Sequence, residues 1–172
     1  MRLHVEHELT GAATAVGMML ADPRYVHEKV LAAGAVDQQV DVTGDASGPF
    51  TVTTRRSLPT DQIPANVRAF VGDRLDVRQV EAWEAATPDG ARVGTVAVEI
   101  AGAPVRMTGT AALTPTAGGG CVIAYDGDVR ASIPLFSGAV EQAAVAAVRS
   151  ALDAELRTAR SWLDAPRAPG QP

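Results

Sequence analysis

The sequence predicts an α+β domain in which one antiparallel sheet packs against a long C-terminal helix. Three observations support this fold class. Apolar and polar residues alternate with a period of two in seven segments. Six of these segments follow one another through loops too short for a parallel crossover. The run Pro134–Leu163 then contains a single glycine and no second proline, which favours one helix of about 45 Å.

The chain opens as strand, helix, helix. Residues Arg2–Leu9 alternate and predict a strand with one apolar face. Thr10 offers an N-cap hydroxyl for a short helix over Ala12–Ala21. Asp22-Pro23 is a cap residue followed by a proline suited to a first helical position, so a second short helix begins there. Gly34 is expected to end that helix in the left-handed conformation.

Six further strands make a meander that leads to the long helix. Their predicted spans are 35–43, 50–58, 74–86, 92–101, 104–114 and 121–133. The interruption at residues 59–73 carries apolar residues at helical spacing and is predicted to be a short helix. This helix would either plug one end of the core or form a lid over a pocket. We expect one domain over residues 1–163 and a disordered C-terminal tail over residues 164–172.

The long helix has an apolar arc of about 200°, where an ordinary surface helix needs about 100°. The arc divides by residue size. A bulky stripe, which includes Val148, Leu152 and Leu156, is predicted to anchor the helix. An alanine stripe either lets the sheet approach closely or leaves a cavity, and the sequence does not decide between these; its members are Ala143, Ala147, Ala151 and Ala154.

Composition limits the classes of partner. The chain has 172 residues, a net charge of −5, 47% hydrophobic and 20% charged residues, which is ordinary for a globular domain with its own core. Lysine and arginine form no run longer than Arg55-Arg56, so we expect no nucleic-acid binding. No apolar run approaches the roughly 20 residues of a membrane span, so no integral membrane segment is expected.

Cysteine and histidine usage points away from disulfides and metals. Cys121 is the only cysteine, which excludes an internal disulfide and a cysteine-based zinc site. The three histidines include no His-x₃-His pair. The N-terminus carries charges throughout its first eight residues and lacks a signal-peptide apolar region. We therefore expect no metal, no cofactor and a cytoplasmic location, while the oligomeric state is left open.

The order of elements resembles the helix-grip fold of the START-related (SRPBCC), birch-pollen-allergen-like superfamily. Local phrases carry the resemblance: Ala21-Asp22-Pro23-Arg24-Tyr25-Val26, Arg55-Arg56-Ser57-Leu58-Pro59-Thr60-Asp61-Gln62-Ile63-Pro64, Phe70-Val71-Gly72-Asp73 and Val80-Glu81-Ala82-Trp83. They are similar to one uncharacterised, mostly actinobacterial subfamily without an assigned activity. The resemblance covers residues 1–163. It implies a seven-stranded curved antiparallel sheet wrapped around the long helix, two short helices after strand 1, and a cavity that usually holds an apolar small molecule.

Polar side chains interrupt the predicted apolar interior. If the more apolar side of each strand faces inward, Trp83 and Met107 face inward together with six polar residues: His7, Thr54, Arg56, Gln79, Glu81 and Tyr125. An unpaired buried charge costs several kcal/mol, so Arg56 and Glu81 should pair or should meet solvent or ligand. They form either a structural ion pair or the polar part of a binding pocket, in which Arg56 would suit a ligand carboxylate.

The sequence leaves three functional hypotheses open. The leading hypothesis is a non-catalytic binder or carrier of an apolar or amphipathic small molecule, lipid-like or polyketide-like. The candidate binding residues are His7, Thr54, Arg56, Gln79, Glu81, Trp83, Met107, Tyr125, Ala143, Ala147 and Ala151. The second is a cyclase or dehydratase on a polyketide-like substrate, which uses His7, Arg56, Glu81 and Tyr125. The third is a protein-interaction domain with a filled core that uses its outer sheet or the short middle helix.

Overall fold

The computed structural model describes residues 1–60, Arg68 and residues 74–165 of the chain. The elements in chain order are β1 Arg2–Leu9, α1 Ala13–Leu20, α2 Pro23–Ala32, β2 Asp37–Gly44, β3 Phe50–Pro59, β4 Arg74–Trp83, β5 Arg92–Ile100, β6 Val105–Pro115, β7 Cys121–Ala131 and α3 Ser137–Asp164. The helix predicted within residues 59–73 and most of the predicted tail lie outside the described residues. Among the described residues, no helix is long and apolar enough to cross a membrane.

All seven strands form one antiparallel sheet in the order β1-β7-β6-β5-β4-β3-β2. Consecutive strands from β2 to β7 are neighbours, and β1 pairs with β7, so β1 and β2 are the two edges. The curved sheet and the long terminal helix confirm the predicted helix-grip α+β fold. Asp22 caps α2 as predicted, since its carboxylate accepts the Arg24 N–H at 2.8 Å, and Gly34 has the predicted positive φ of 92°.

Two predicted helix starts are wrong. The residue before α1 is Ala12, whose side chain makes no cap, so Thr10 is not the N-cap. The long helix starts at Ser137 and not at Pro134, because Leu135 adopts a left-handed backbone with φ of 67°. Ser137 holds this turn: its hydroxyl donates to the Ile133 carbonyl at 2.8 Å and accepts the Ile133 N–H at 3.1 Å.

The core divides into two clusters along α3. The larger cluster joins the inner faces of the strands to α1, α2 and the later turns of α3, where Leu152 is buried as the predicted anchor. A smaller cluster of Val105, Ala131, Ile133 and Val140 lies under the first turns of α3. At the margins of these clusters, inward residues of β5 are only half-buried: Val98 packs against the larger cluster and Ile100 against the smaller one.

The alanine stripe of α3 does not face the sheet along its length. Ala147 is exposed, and Ala143 and Ala151 are half-buried. The buried face of α3 instead runs through Val145, Leu152 and Glu155. Neither alternative given for the alanine stripe applies to the exposed Ala147, and the buried face of α3 includes Glu155, which meets a cation from α2.

A pair of glycines lets β6 and β7 approach closely. Gly109 and Gly127 lie directly opposite each other in the register. A Cβ on Gly109 would lie 2.2 Å from the Asp126 carbonyl oxygen and 2.7 Å from the Gly127 Cα. Glycine inside a strand commonly marks such a close approach of two backbones.

Replacing Gly109 with alanine should lower the free energy of unfolding by about 1–3 kcal/mol, because the added methyl overpacks the strand pair. Urea denaturation measures the change. Gly118→Ala is the matched control, since nothing lies within 4 Å of a Cβ at that position, and it should stay within about 0.5 kcal/mol of the native chain. Equal stability of the two variants would contradict the close approach.

Candidate functional site

The interior contains a buried cation held by two carboxylates. Lys29 Nζ lies 2.9 Å from Glu81 Oε1 and 3.3 Å from Glu155 Oε2. The side chains of Lys29, Glu81 and Glu155 are 3%, 3% and 8% exposed. The three residues, here called the Lys29 cluster, come from α2, β4 and α3. Ion pairs removed from water in this way are stable only when their geometry and remaining hydrogen bonds are good.

Local sequence places each member. Lys29 lies three residues after Val26 and four after Tyr25, on the inner face of α2 that also buries these two residues. Glu81 has the same strand parity as the buried Trp83. Glu155 lies three residues after Leu152 on the buried face of α3. Sequence reasoning missed Lys29 and Glu155, although each lies at the spacing of buried apolar neighbours and Lys29 is the only lysine.

The cluster extends along β4 to Arg56. Gln79 Nε2 donates to Glu81 Oε1 at 2.7 Å, and the Gln79 Oε1 accepts from Arg56 Nη2 at 3.0 Å. Trp83 Nε1 donates to Glu81 Oε2 at 3.3 Å. Of the two alternatives, the direct ion pair of Arg56 with Glu81 does not form: Gln79 links them, and Lys29 is the ion-pair partner of Glu81. Gln79 can do so because its amide has both a donor and an acceptor end.

Burial and charge set the protonation of the cluster. Burial alone would raise the pKa of Glu81, but the charge of Lys29 and hydrogen bonds from Lys29, Gln79 and Trp83 lower it below its usual value. Burial would lower the pKa of Lys29, and the carboxylates of Glu155 and Glu81 instead raise it well above its usual value. Burial, with the charge of Glu81, raises the pKa of Tyr125. Lys29 and Glu81 are thus a true ion pair at neutral pH, and Tyr125 is a neutral phenol.

Arg56 is the member with unused hydrogen-bonding capacity. It is 9% exposed, and its Nε and Nη1 are buried without a hydrogen-bond acceptor, as is the hydroxyl of the neighbouring inward residue Thr54. An open groove of about 560 Å³ crosses β2, β3 and β4 and touches Arg56, but most of its lining residues, such as Arg55 and Arg78, belong to the outer face of the sheet. The guanidinium of Arg56 faces inward at the end of the sheet where Val98 and Ile100 are only half-buried, whereas Lys29 is enclosed.

A second group of polar side chains surrounds a much smaller space. His7, Tyr25, Tyr125 and Glu155 line a cavity of about 20 Å³ between the sheet and the later turns of α3. That volume suffices for about one water molecule. His7 Nε2 makes no hydrogen bond and lies 3.9 Å from Asp153 Oδ1. The cavity adjoins the Lys29 cluster through Glu155, but it is too small for an organic ligand.

The remaining predicted site residues have packing contacts. Trp83 stacks on Phe50 with ring centroids 6.3 Å apart, and Met107 is buried in the larger core cluster. The structure thus brings Arg56, Gln79, Glu81 and Trp83 together, places Thr54 beside them, and puts His7 and Tyr125 at the small cavity. Ala143, Ala147 and Ala151 line neither this cavity nor the groove.

The chain belongs to the family described as "Protein of unknown function (DUF2505)", whose model matches residues 4–163. No curated protein matches it. Among solved structures it is similar to the Zhui aromatase/cyclase from Streptomyces sp. R1128, with 14% identity, TM-score 0.57, and 95% of this chain and 94% of that chain covered.

Two further structures have the same fold. Norcoclaurine synthase from Thalictrum flavum, a point mutant in complex with a transition-state analogue, is 16% identical with a TM-score of 0.56, and 94% of this chain and 95% of that chain are covered. A protein from Thermus thermophilus is 14% identical with a TM-score of 0.60, and 94% of this chain and 99% of that chain are covered. At these identities the comparisons show the fold alone.

Lys29→Met should lower the free energy of unfolding by about 3–5 kcal/mol at neutral pH, because it leaves two buried carboxylates without their cation. Urea denaturation measures this loss. Glu28→Gln, at the exposed neighbouring position of the same helix, is the control and should change stability by less than about 0.5 kcal/mol. A loss in Lys29→Met no larger than in the control would show that the cluster contributes nothing.

Stability should fall in acid partly through Glu81. Its folded-state pKa is lowered from the ordinary 4.5, so its contribution is present above that value and is lost as the pH falls through the folded value. Lys29 has the opposite pH dependence because its pKa is raised. Its contribution to stability is present below the ordinary 10.5 and is lost as the pH rises through the folded value. Urea denaturation across pH should give Glu81→Gln a shallower decline below pH 4.5 than the native chain. Parallel profiles would contradict the assignment.

Proposed function

We propose that this protein binds and carries an amphipathic acid, with the acid group at Arg56 and the apolar part against the half-buried inward residues at the same end of the sheet. The observation that carries the proposal is the buried guanidinium of Arg56, two of whose nitrogens lack an acceptor. A buried donor without a partner costs about 1–3 kcal/mol, and more for a charged group. A ligand carboxylate supplies acceptor oxygens of the right charge.

The surroundings of Arg56 favour such a ligand. Inward residues at the same end of the sheet, such as Leu75, Val98 and Ile100, are apolar and only half-buried, so an apolar chain would gain contacts there. We expect the ligand to be bound and released in the cytoplasm.

We favour binding over catalysis because the candidate acid–base groups are engaged. Glu81 accepts hydrogen bonds from Lys29, Gln79 and Trp83, which leaves no free base there. His7 and Tyr125 line a space with room for about one water molecule. Efficient general acid–base catalysis needs such a group within about 3 Å of the reacting atom, and a substrate does not fit at that cavity.

Arg56→Gln should weaken binding of decanoic acid about 10- to 100-fold, which corresponds to the loss of a charged hydrogen bond of about 1.5–3 kcal/mol. Titration calorimetry measures the affinity, and decanol serves as the uncharged analogue. The native chain should prefer the acid, and Arg56→Gln should bind acid and alcohol about equally.

Arg157→Gln is the matched control, because Arg157 is exposed on the outer face of α3 and should leave the affinity unchanged. Urea denaturation of both variants separates lost binding from lost folding. The proposal fails if the native chain binds neither compound, or if acid and alcohol bind the native chain equally well.

A further inference from the structure

Four arginines form a row across the outer face of the sheet. The register places Arg55, Arg78, Glu99, Arg106 and Arg130 side by side on β3 to β7. Neighbouring strands lie about 4.8 Å apart, so the row spans roughly 19 Å. All five residues are exposed. Four positive charges and one negative charge leave +3 in the row, although the whole chain carries −5.

Ion pairing neutralises only part of the row. Within the part of the chain that the structure describes, Arg55, Arg78 and Arg106 make no ion pair, and Arg130 pairs with Asp128 at 3.9 Å. The nearby carboxylate of Asp76 instead accepts a hydrogen bond from Ser57 at 2.5 Å. Arg55 and Arg78 lie directly opposite each other, and like charges in that position are destabilising. Such an arrangement favours an external anionic partner.

An exposed apolar residue lies at the same end of the sheet. Leu135 follows Arg130 by five residues and is 100% exposed. Its φ of 67° is the one positive value at a non-glycine residue among the described residues. Ser137 fixes the turn through two hydrogen bonds to Ile133, and Ser132 N–H donates to Pro104 O at 2.9 Å in the turn before Arg106. The fold thus holds an exposed leucine in the turn that follows the strand of Arg130.

We infer that this end of the sheet docks on a negatively charged membrane surface. The arginine row contacts lipid phosphates, and Leu135 enters the headgroup region. Cations and apolar residues side by side are the usual requirement for binding to an anionic bilayer surface. Phosphates of nucleic acid would engage the arginines but would give the exposed leucine no apolar environment, so a lipid surface fits both features. The inference does not depend on the ligand proposed above.

Sedimentation with lipid vesicles tests the docking. The native chain should bind vesicles of phosphatidylcholine mixed with phosphatidylglycerol, should not bind phosphatidylcholine alone, and should be released by high sodium chloride. Leu135→Ser should weaken the partition coefficient about tenfold. Arg78→Glu with Arg106→Glu should weaken it at least about 25-fold, since each arginine near the surface contributes about fivefold.

Control variants test whether the loss of vesicle binding is specific to this end of the sheet. Leu31→Ser makes the same change at a leucine that is 49% exposed elsewhere, and Arg149→Glu with Arg157→Glu reverses two exposed charges on α3; both should bind vesicles like the native chain. Arg56→Gln should also bind normally, which separates docking from ligand binding. The inference is overturned if the native chain binds no vesicles, binds both kinds equally, loses nothing in Leu135→Ser, or binds duplex DNA more tightly than vesicles at the same salt.

Discussion

The double ion pair of Lys29 is the interaction on which the rest of this interior depends. Removing a charged group from water costs several kcal/mol, and the cost is offset only when every partner is in place. Lys29 comes from α2, Glu81 from β4 and Glu155 from α3. Misplacing any one of these elements leaves an uncompensated buried charge. The cluster therefore fixes how the two helices sit on the sheet, which apolar packing alone specifies less sharply.

The same cluster decides which polar groups remain free for a ligand. Lys29, Gln79 and Trp83 together engage both carboxylate oxygens of Glu81, so this carboxylate is held within the cluster. Arg56 instead donates a hydrogen bond to the neutral amide oxygen of Gln79. The cluster and Arg56 together contain two cations and two carboxylates, yet both carboxylates are bound by one cation. The charges of these four residues therefore sum to zero, but two nitrogens of the Arg56 guanidinium lack an acceptor. An external acceptor would gain the strongest hydrogen bonds at this position.

The fold was predictable from sequence because it depends on period, turn chemistry and loop length, which are local signals. The inward direction of Arg56, Gln79 and Glu81 followed from strand alternation in the same way. Their partners did not follow, since Lys29 and Glu155 reach Glu81 from helices distant in the chain, and no local pattern gives the rotation of one helix on another. The start of α3 was mispredicted because Pro134 suits a first helical turn, whereas the left-handed Leu135 depends on the Ser137 contacts. The arginine row was not predicted for the same reason: its members lie side by side only through the pairing register of five strands.

The two ends of the interior differ in a way that bears on function. At the end covered by α1 and α2, apolar side chains such as Val16, Val26 and Leu113 have no exposed surface, and the remaining space holds about one water molecule. At the other end the inner face has polar groups without partners and apolar residues that are half-buried. Close packing contributes to stability, and a binding site requires that part of the interior be less closely packed. The closed end therefore contributes close packing, whereas the half-buried residues at the other end are where the proposed ligand would supply missing contacts.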